Sequence, residues 1–460
     1  MKFIKVFIAP LAFVVCILGI VFGESRQSLI KANAMPNVIL VVVDSLRSDH
    51  VSSYGYSRST TPELDKWLAN EGTVLSNATA PSPWTYPSNA GMLTGKQSAN
   101  LGVTWSQWQN ADNTISDSEI FLAEYLKNEN YATAGFVTAY FMSARFGFDQ
   151  GFDYFEENTR NNADKVWADE LNSSAMNWLS NEWDDSQPLF LLLYYYDPHS
   201  WYNPPAPYDI LYDSTYTGTL TADVYQNGRS VVEGDIVPTE RDVEHIVALY
   251  DGSITYWDHY FGEMMTFLGQ KGILDNSIVI LTADHGEMFG EHGKWAHHNS
   301  LYEEVLRVPF IVRYDGVVPV NAVIDAPVST IDIPPTVLGL LGMSATGFEG
   351  VSLAEGLRGE TVLPTDRPIF SDADAIIDPN IPPYWQAPHS ELRAVRQGDW
   401  KYVYGFDDTT QELYQLQPDS IYEADDLFSS HPDQAHMMYT YLDSRFFLPT
   451  NYLYLPCLQR

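Results

Sequence analysis

Five short apolar runs, almost free of charged side chains, recur along the chain and constrain its fold more than any other feature. They occupy residues 37–43, 131–137, 189–196, 277–282 and 309–314. Segments with a helical pattern, such as 120–127 and 254–268, lie between them. Apolar runs without alternation are typical of strands in a parallel sheet that helices cover on both faces. The sequence therefore predicts a layered α/β fold.

The length and the charge of the chain limit the number of domains and the kinds of partner that we expect. With 460 residues, the chain is long enough for one large domain and a smaller one. Its 60 acidic and 25 basic residues give a formal net charge of -35. Phosphate backbones are bound by clustered cations, which this chain mostly lacks. We therefore predict that nucleic acid is not a partner.

The first 34 residues have the layout of an export signal. Lys2 and Lys5 precede an uncharged apolar run over residues 6–23, and a small-x-small motif at residues 32–34 is a candidate cleavage site. As a helix the run would span about 27 Å, so a cleaved signal peptide and an uncleaved membrane anchor are both open. The protein is predicted to be exported, as a periplasmic, extracellular or membrane-anchored protein that faces outside.

The rest of the chain divides into a large and a small unit. A segment rich in Pro, Asp and Ala at residues 366–388 is typical of a linker or crossover. Patterns of short antiparallel strands and a closing helix follow it, at residues 393–404, 411–416 and 431–445. We predict a large α/β domain over residues 36–375 and a small α+β subdomain over residues 390–450.

Polar residues directly after two of the apolar runs are candidates for a metal site. Asp44 follows the first run, and Asp284 and His285 follow the fourth. In open α/β sheets, ligands bind beyond the carboxyl ends of the strands, where distant parts of the sequence meet. Two carboxylates and an imidazole suit a divalent cation. Each residue alone is more typical of a turn or a helix cap, so the prediction depends on their joint position.

The hydroxyl of Thr85 is a candidate nucleophile. Pro87 suits the first turn of a helix that begins there, which would place Thr85 near free backbone N–H groups at the positive helix end. An anionic ester is attracted to such a place. A threonine hydroxyl needs a metal or a base to favour its alkoxide form, and the predicted metal site can supply this. The alternative is that Thr85 only caps the helix.

Motifs in a fixed order extend these observations. They include Asp197-Pro198-His199 and Asp284-His285-Gly286-Glu287, within a series at residues 36–44, 54–56, 61–65, 82–95, 197–199, 282–287, 290–293, 302–304, 393–396, 400–401 and 412–414. With these motifs, the chain over residues 36–445 resembles the sulfatase family of the alkaline phosphatase superfamily of metal-dependent phospho- and sulfohydrolases. The resemblance implies a large mixed, mostly parallel sheet between helices, with residues 36–375 as the catalytic domain.

The resemblance also implies roles for individual residues. Asp44, Asp284 and His285 correspond to metal ligands, and Thr85 falls where the family keeps a nucleophile that also bridges to the metal. His199 and His297 correspond to residues that contact the substrate oxyanion or protonate the leaving oxygen. His298 is a neighbouring alternative for the second of these roles.

The chain also departs from the family pattern. Type I sulfatases carry a Cys or Ser that is converted to formylglycine in a C/S-x-P-x-R signature, whereas here the signature begins with Thr85 and ends with Asn89. Ser45 replaces the second Asp of the usual pair, and the Gly-Lys-Trp-His segment is absent after residues 131–137. A threonine nucleophile with Asp, Asp and His ligands instead resembles the superfamily's phosphodiesterases, phosphonate hydrolases and phosphoglycerol transferases.

We predict a hydrolase that binds one divalent metal ion, calcium or manganese in preference to zinc. It cleaves phosphate, phosphonate or sulfate esters through a covalent Thr85 intermediate, with phosphodiester-type substrates favoured over sulfate. The substrate is a small-molecule, glycan-linked or lipid-linked anionic ester, and the N-terminal segment allows membrane association. The alternatives are a phosphoglycerol-type transferase of the envelope that uses the same site, and a binding protein that has lost catalysis.

Overall fold

A computed structural model of the protein describes residues 35–103, 114–159, 165–200, 202–220, 231, 236–297, 300–374, 391–406, 410–417, 421–446 and 448. The predicted export segment over residues 1–34, His298 and residues 375–388 of the predicted linker lie outside this part of the chain. Among the described helices, none has the length and apolar character needed to cross a membrane.

A mixed, mostly parallel sheet forms the centre of the large domain, as the sequence predicts. Within the described residues it has eight strands, which we number in chain order with those of the smaller sheets. These are β1 (Asn37–Val43), β2 (Thr73–Leu75), β4 (Ala132–Val137), β5 (Tyr154–Glu157), β6 (Leu189–Tyr195), β7 (Ser277–Ala283), β11 (Phe310–Tyr314) and β12 (Ala322–Ile324). Their order is β12-β2-β11-β7-β1-β6-β4-β5. Only β11, among these strands, is antiparallel to its neighbours.

The central strands are buried on both faces. Every residue of β6 and of β7 is buried, and so are all residues of β1 after Asn37. Their branched and aromatic side chains suit a pleated surface that is covered on each side. The apolar runs in the sequence follow directly from this burial.

The described α-helices cover the sheet and connect its strands. They are α1 (Pro62–Leu64), α2 (Thr85–Thr94), α3 (Ser98–Leu101), α4 (Leu122–Asn128), α5 (Ala168–Asn181), α6 (Glu240–Gln270), α7 (Glu303–Leu306), α8 (Ile333–Leu340), α9 (Ala354–Leu357) and α10 (Pro432–Phe446). Helix α6 is much longer than the predicted 254–268, because it begins at a capping box. Thr239 accepts a hydrogen bond from the N–H of Asp242 and donates its own N–H to the Asp242 carboxylate.

Smaller sheets complete the large domain. They are formed by strands of only two residues, namely β3 (Ala78–Thr79), β8 (Met288–Phe289), β9 (Trp295–Ala296), β10 (Arg307–Val308) and β13 (Val328–Ser329). Strand β3 pairs with β10 and β13, whereas β8 and β9 pair with each other. The β8–β9 pair follows His285 closely along the chain, and it fixes the loop in which His297 lies.

The C-terminal part of the chain forms a separate antiparallel sheet. Its strands, in order, are β14 (Ile369–Asp374), β15 (Glu391–Gln397), β16 (Trp400–Gly405) and β17 (Gln411–Gln415), and α10 packs against β15 and β16. The predicted strand 393–404 is therefore a hairpin, whose turn Gly398 makes with a φ of 55°. Strand β14 joins this sheet although the sequence groups it with the large domain.

Buried ion pairs attach the small sheet to the large domain. The Lys401 ammonium lies 3.0 Å from one carboxylate oxygen of Glu303, and the Arg396 guanidinium lies 3.3 Å from the other. Glu423 accepts a hydrogen bond from the Glu303 N–H. Burial alone would raise the pKa of the Glu303 carboxyl, but Lys401, Arg396 and Arg307 outweigh it and lower that pKa. These contacts hold α7, and with it the end of the loop that carries His297.

Candidate active site

The register of β1 and β7 brings two of the predicted metal ligands together. The two strands are parallel neighbours, and Val43 pairs with Ala283, which is the last residue of β7. Asp44 and Asp284 are the next residues along each strand, so they leave the same edge of the sheet side by side. Both carboxylates and the His285 imidazole are fully buried.

Asp44, Asp284 and His285 converge closely enough to share one cation. One potential ligand atom from each residue lies within 4.8 Å of those from the other two. The His285 Nε2 atom is 3.6 Å from an oxygen of Asp44 and 3.6 Å from an oxygen of Asp284. His285 Nδ1 lies 2.8 Å from the Gly286 carbonyl oxygen, which favours a proton on Nδ1 and leaves the Nε2 lone pair facing the carboxylates.

Tyr194, in β6, contacts both carboxylates with its hydroxyl group. Its hydroxyl oxygen is 2.8 Å from Asp44 Oδ2 and 2.7 Å from Asp284 Oδ2. One hydroxyl proton cannot serve both carboxylates at once, so the second short contact needs a further positive charge or proton. Burial raises the pKa of the Asp44 carboxyl, and the charge of Asp284 raises it further. The donor set therefore fits a divalent cation, which would neutralise both carboxylates.

Backbone and hydroxyl groups fix the remaining carboxylate oxygens. Asp284 Oδ1 accepts hydrogen bonds from the N–H groups of Ser45 and His285, at 3.2 and 2.9 Å. The Ser45 hydroxyl donates to Asp44 Oδ1 at 2.9 Å. Ser45, which stands where the family has a second Asp, thus orients both acidic residues although its hydroxyl carries no charge.

Thr85 lies beside this cluster. It is the first residue of α2, is 4% exposed, and its Oγ1 atom is 3.4 Å from His285 Nε2. Thr85 therefore lies at the positive end of the α2 dipole. Asn89, at the position of the signature arginine, donates to the Thr85 carbonyl oxygen at 2.8 Å and to Asp284 Oδ2 at 3.0 Å. This amide ties the helix start to the acidic cluster.

His199 and His297 also reach the site. The ring centroid of His297 lies 4.3 Å from that of His285 and 4.9 Å from that of His199, so the His297 ring contacts both other imidazoles. His199 follows β6 and stacks on Tyr196 with a centroid distance of 4.3 Å. The sequence prediction thus names residues that the fold brings together.

Glu287 also lies at the site; it belongs to the motif at residues 282–287, but its sequence context predicts no role for it. Its Oε1 atom is 2.9 Å from Nδ1 of His297, and burial raises the pKa of its carboxyl to about 8. The contact orients the His297 ring and directs Nε2 away from Glu287. Glu287 and His297 are ten residues apart, a separation that corresponds to no regular helix or strand pattern. Their pairing could therefore not be predicted from the sequence and is seen only in the folded loop.

Asp197 serves a structural purpose at the same edge of the sheet. One of its oxygens accepts a hydrogen bond from the N–H of Ala168, the first residue of α5, at 3.0 Å. A carboxylate at a helix N-terminus is a stabilising cap. In the motif Asp197-Pro198-His199, Asp197 therefore caps helix α5, and His199 lies at the site.

Comparison with known proteins agrees with this architecture. The family model described as Sulfatase matches residues 36–343. The chain is 28% identical to an arylsulfatase of Clostridium perfringens, over 70% of this chain and 78% of that protein. It is 26% identical to an N-acetylglucosamine-6-O-sulfatase of Bacteroides thetaiotaomicron, over 84% of this chain and 81% of that protein.

Solved structures share the fold at low sequence identity. The phosphonate monoester hydrolase of Agrobacterium radiobacter superimposes with a TM-score of 0.69 at 18% identity, covering 89% of this chain and 94% of that one. The corresponding enzyme of Silicibacter pomeroyi gives 0.69 at 20% identity, covering 91% and 97%. Since the family match spans more than half of the chain and contains every site residue described above, the protein belongs to the sulfatase family and is a sulfatase-like hydrolase of ester bonds.

Proposed function

We propose that the protein is a metal-dependent hydrolase that cleaves phosphate, phosphonate or sulfate esters through a covalent ester on Thr85. The observation that carries this proposal is the position of the Thr85 hydroxyl, 3.4 Å from His285 Nε2 and at the start of a helix. A hydroxyl that served only as a helix cap would have no need of two buried carboxylates and an imidazole beside it. Phosphodiester-type substrates are favoured over sulfate esters.

Asp44, Asp284 and His285 would hold one divalent cation, with Thr85 next to it. The oxygen-rich donor set favours calcium or manganese over zinc. When bound, the cation supplies the positive charge that lowers the pKa of the neighbouring hydroxyl and screens the anionic ester from the carboxylates. Tyr194 and Ser45 hold the carboxylates in place by the hydrogen bonds described above.

The chain's own residues account for both half-reactions. The deprotonated Thr85 oxygen forms a bond to phosphorus or sulfur, and the bond from that centre to the leaving oxygen breaks. His199 or His297 gives its proton to the leaving oxygen, while the positive end of the α2 dipole stabilises the negative charge on the equatorial oxygens. The now neutral histidine then takes a proton from water, whose oxygen attacks the same centre and releases Thr85.

The chemistry of the intermediate favours phosphorus. A formylglycine sulfate is a hemiacetal ester and can eliminate sulfate, whereas a threonine sulfate has no such route and needs direct attack by water. A threonine phosphate or phosphonate ester also needs direct attack by water, but its phosphorus atom accepts in-line attack more readily than sulfur does. The fold shared with phosphonate monoester hydrolases supports this preference.

Substrate class and location complete the proposal. The substrate is a small-molecule, glycan-linked or lipid-linked anionic ester, and the protein acts outside the cytoplasm. Retention of the complete Asp44, Asp284 and His285 cluster argues against a family member that has lost catalysis. Relatives named as sulfatases and hydrolases favour water as the acceptor over an alcohol.

A screen of ester classes tests the function directly. Purified protein, treated with a chelator and then supplied with calcium, manganese or zinc, is assayed on aryl phosphodiesters, aryl phosphonate monoesters and aryl sulfates. We expect metal-restored turnover that is fastest on a phosphorus ester. Turnover of none of these esters with any of the three ions would refute the proposal, and turnover of aryl sulfates alone would refute the preference for phosphorus.

Replacing His297 by glutamine is expected to lower kcat by about 10²- to 10⁴-fold for esters with poor leaving groups. The loss should shrink for nitrophenyl esters, because their leaving oxygen needs little help from an acid. The measurement is the dependence of kcat on leaving-group pKa, which should become steeper in the variant. His245→Gln is the matched control, since this buried histidine pairs with Asp213 at 2.8 Å on another part of the domain. An equal loss for all leaving groups would contradict the acid role.

A further inference from the structure

A buried lysine stands beside the site, although the sequence pattern assigns it nothing. Lys165, just before α5, has an ammonium group 2.9 Å from the Asp197 carbonyl oxygen and 2.5 Å from the His199 carbonyl oxygen. The residue is only 8% exposed. Two of its three N–H donors therefore hold the short loop that carries His199 into the site.

The surroundings of Lys165 combine aromatic rings with acidic groups. The ammonium lies 5.1 Å from the ring centre of Trp167 and 5.8 Å from that of Tyr196, on which His199 stacks. Burial lowers the pKa of Lys165 below its usual range, while the carboxylates of Asp197, Asp44 and Glu287 oppose that change. The charge of Lys165 therefore interacts electrostatically with two acidic residues of the site, Asp44 and Glu287.

The site lacks two positively charged groups that the family pattern contains, and Lys165 can replace part of their charge. Asn89 replaces the signature arginine, and its amide group donates hydrogen bonds to the Thr85 carbonyl oxygen and to the Asp284 carboxylate. The lysine-containing segment expected after β4 is absent from the sequence. An anionic ester that binds near the Asp44 and Glu287 carboxylates needs a positive group to offset their charge.

We propose that Lys165 is the specificity-determining cation of the site, which fixes the His199 loop through two hydrogen bonds and offers its third N–H to an oxygen of the anionic ester. This inference rests on the proposed function, because it concerns the substrate of the same site. Lys165 comes from a segment of the fold different from those that carry Thr85 and His297. It selects for esters that keep a negative charge while they are bound.

The test compares Lys165→Met, Lys165→Arg and the control Lys127→Met. Lys127 is a surface lysine, half exposed and paired with Asp153 at 2.7 Å, so its variant loses the same charge elsewhere. The probe is inorganic sulfate, titrated by calorimetry into the metal-loaded proteins, because its charge is constant across the pH range used. We expect Lys165→Met to bind sulfate about 10- to 100-fold more weakly, and Lys165→Arg and the control to bind within a few-fold of the wild type.

The pH dependence separates this role from a merely structural one. The groups that face the Lys165 ammonium are Asp197, Asp44, Glu287 and the His199 loop, with Trp167 and Tyr196 beside it. In the wild type, sulfate affinity should fall as rising pH removes the proton from Lys165. In Lys165→Arg this fall should move to higher pH, because a guanidinium keeps its proton. In Lys165→Met the affinity should be low throughout.

Each outcome decides the proposal. Sulfate binding by Lys165→Met equal to that of the wild type would overturn it. So would a loss of affinity with rising pH that occurs at the same pH in the wild type and in Lys165→Arg, or a wild type that binds no sulfate. If Lys165→Met does not fold, the comparison between the wild type and Lys165→Arg still decides. Failure of every ester in the turnover screen would refute the proposed function alone, since the sulfate titration does not depend on turnover.

Discussion

Thr85→Ala is expected to reduce kcat/KM by at least about 10⁴-fold on every ester that the wild type cleaves. The variant removes the oxygen that would form the covalent bond. The loss should lie in kcat, because the ester is still attracted by the helix end and the neighbouring cations. Steady-state kinetics on the best substrate of the screen measure it.

Two matched variants separate lost chemistry from lost folding. Thr94→Ala removes a buried threonine at the other end of the same helix, where the hydroxyl only donates to the Ala90 carbonyl oxygen, and should keep wild-type kcat. Thr85→Ser keeps a hydroxyl and should retain turnover within about 100-fold of the wild type. Acid-quenched wild type should carry a phosphoryl or sulfuryl group on the peptide containing Thr85. Unchanged turnover in Thr85→Ala, or the group on another peptide, would remove Thr85 from the mechanism.

The sheet and the acidic cluster were predictable because each depends on a local signal. A strand buried on both faces is apolar throughout, so β1 and β7 stand out in the sequence, and the residues after them lie at the binding edge of the sheet. The antiparallel direction of β11 was not predictable. Its apolar run has the same composition as a parallel strand, and its direction depends on the path of the chain between β7 and β11.

The supporting residues of the site give weaker signals. Tyr194 lies in the apolar run of β6, where an aromatic residue is typical of the core, and nothing local indicates that its hydroxyl meets Asp44 and Asp284. Lys165 is one of 25 basic residues and has no motif around it. Their contacts come from segments that are distant in sequence, so the fold alone brings them to the site.

Asp44→Asn is expected to change stability in opposite directions with and without the metal. In the metal-free protein the Asp44 and Asp284 carboxylates are buried together, and burial and mutual repulsion raise the pKa of Asp44. A neutral amide removes that repulsion, so the metal-free variant should be as stable as the metal-free wild type or more stable, by about 1 kcal/mol. Urea denaturation after chelator treatment measures this difference.

Added cation should reverse the order. The wild type should gain about 2.7 kcal/mol in its free energy of unfolding at an ion concentration of 100 times Kd, since the ion binds only the folded state. Asp44→Asn should gain far less, and its turnover should fall by about 10³-fold or more, because one of the two charges that hold the ion is lost. Asp372→Asn is the control, as this buried carboxylate binds the Ser98 hydroxyl and should leave the full metal-dependent gain intact. A wild type that no divalent ion stabilises, or an Asp44→Asn protein with the same gain as the wild type, would show that Asp44 does not hold a metal ion. The proposed activation of Thr85 by that ion would then be refuted as well.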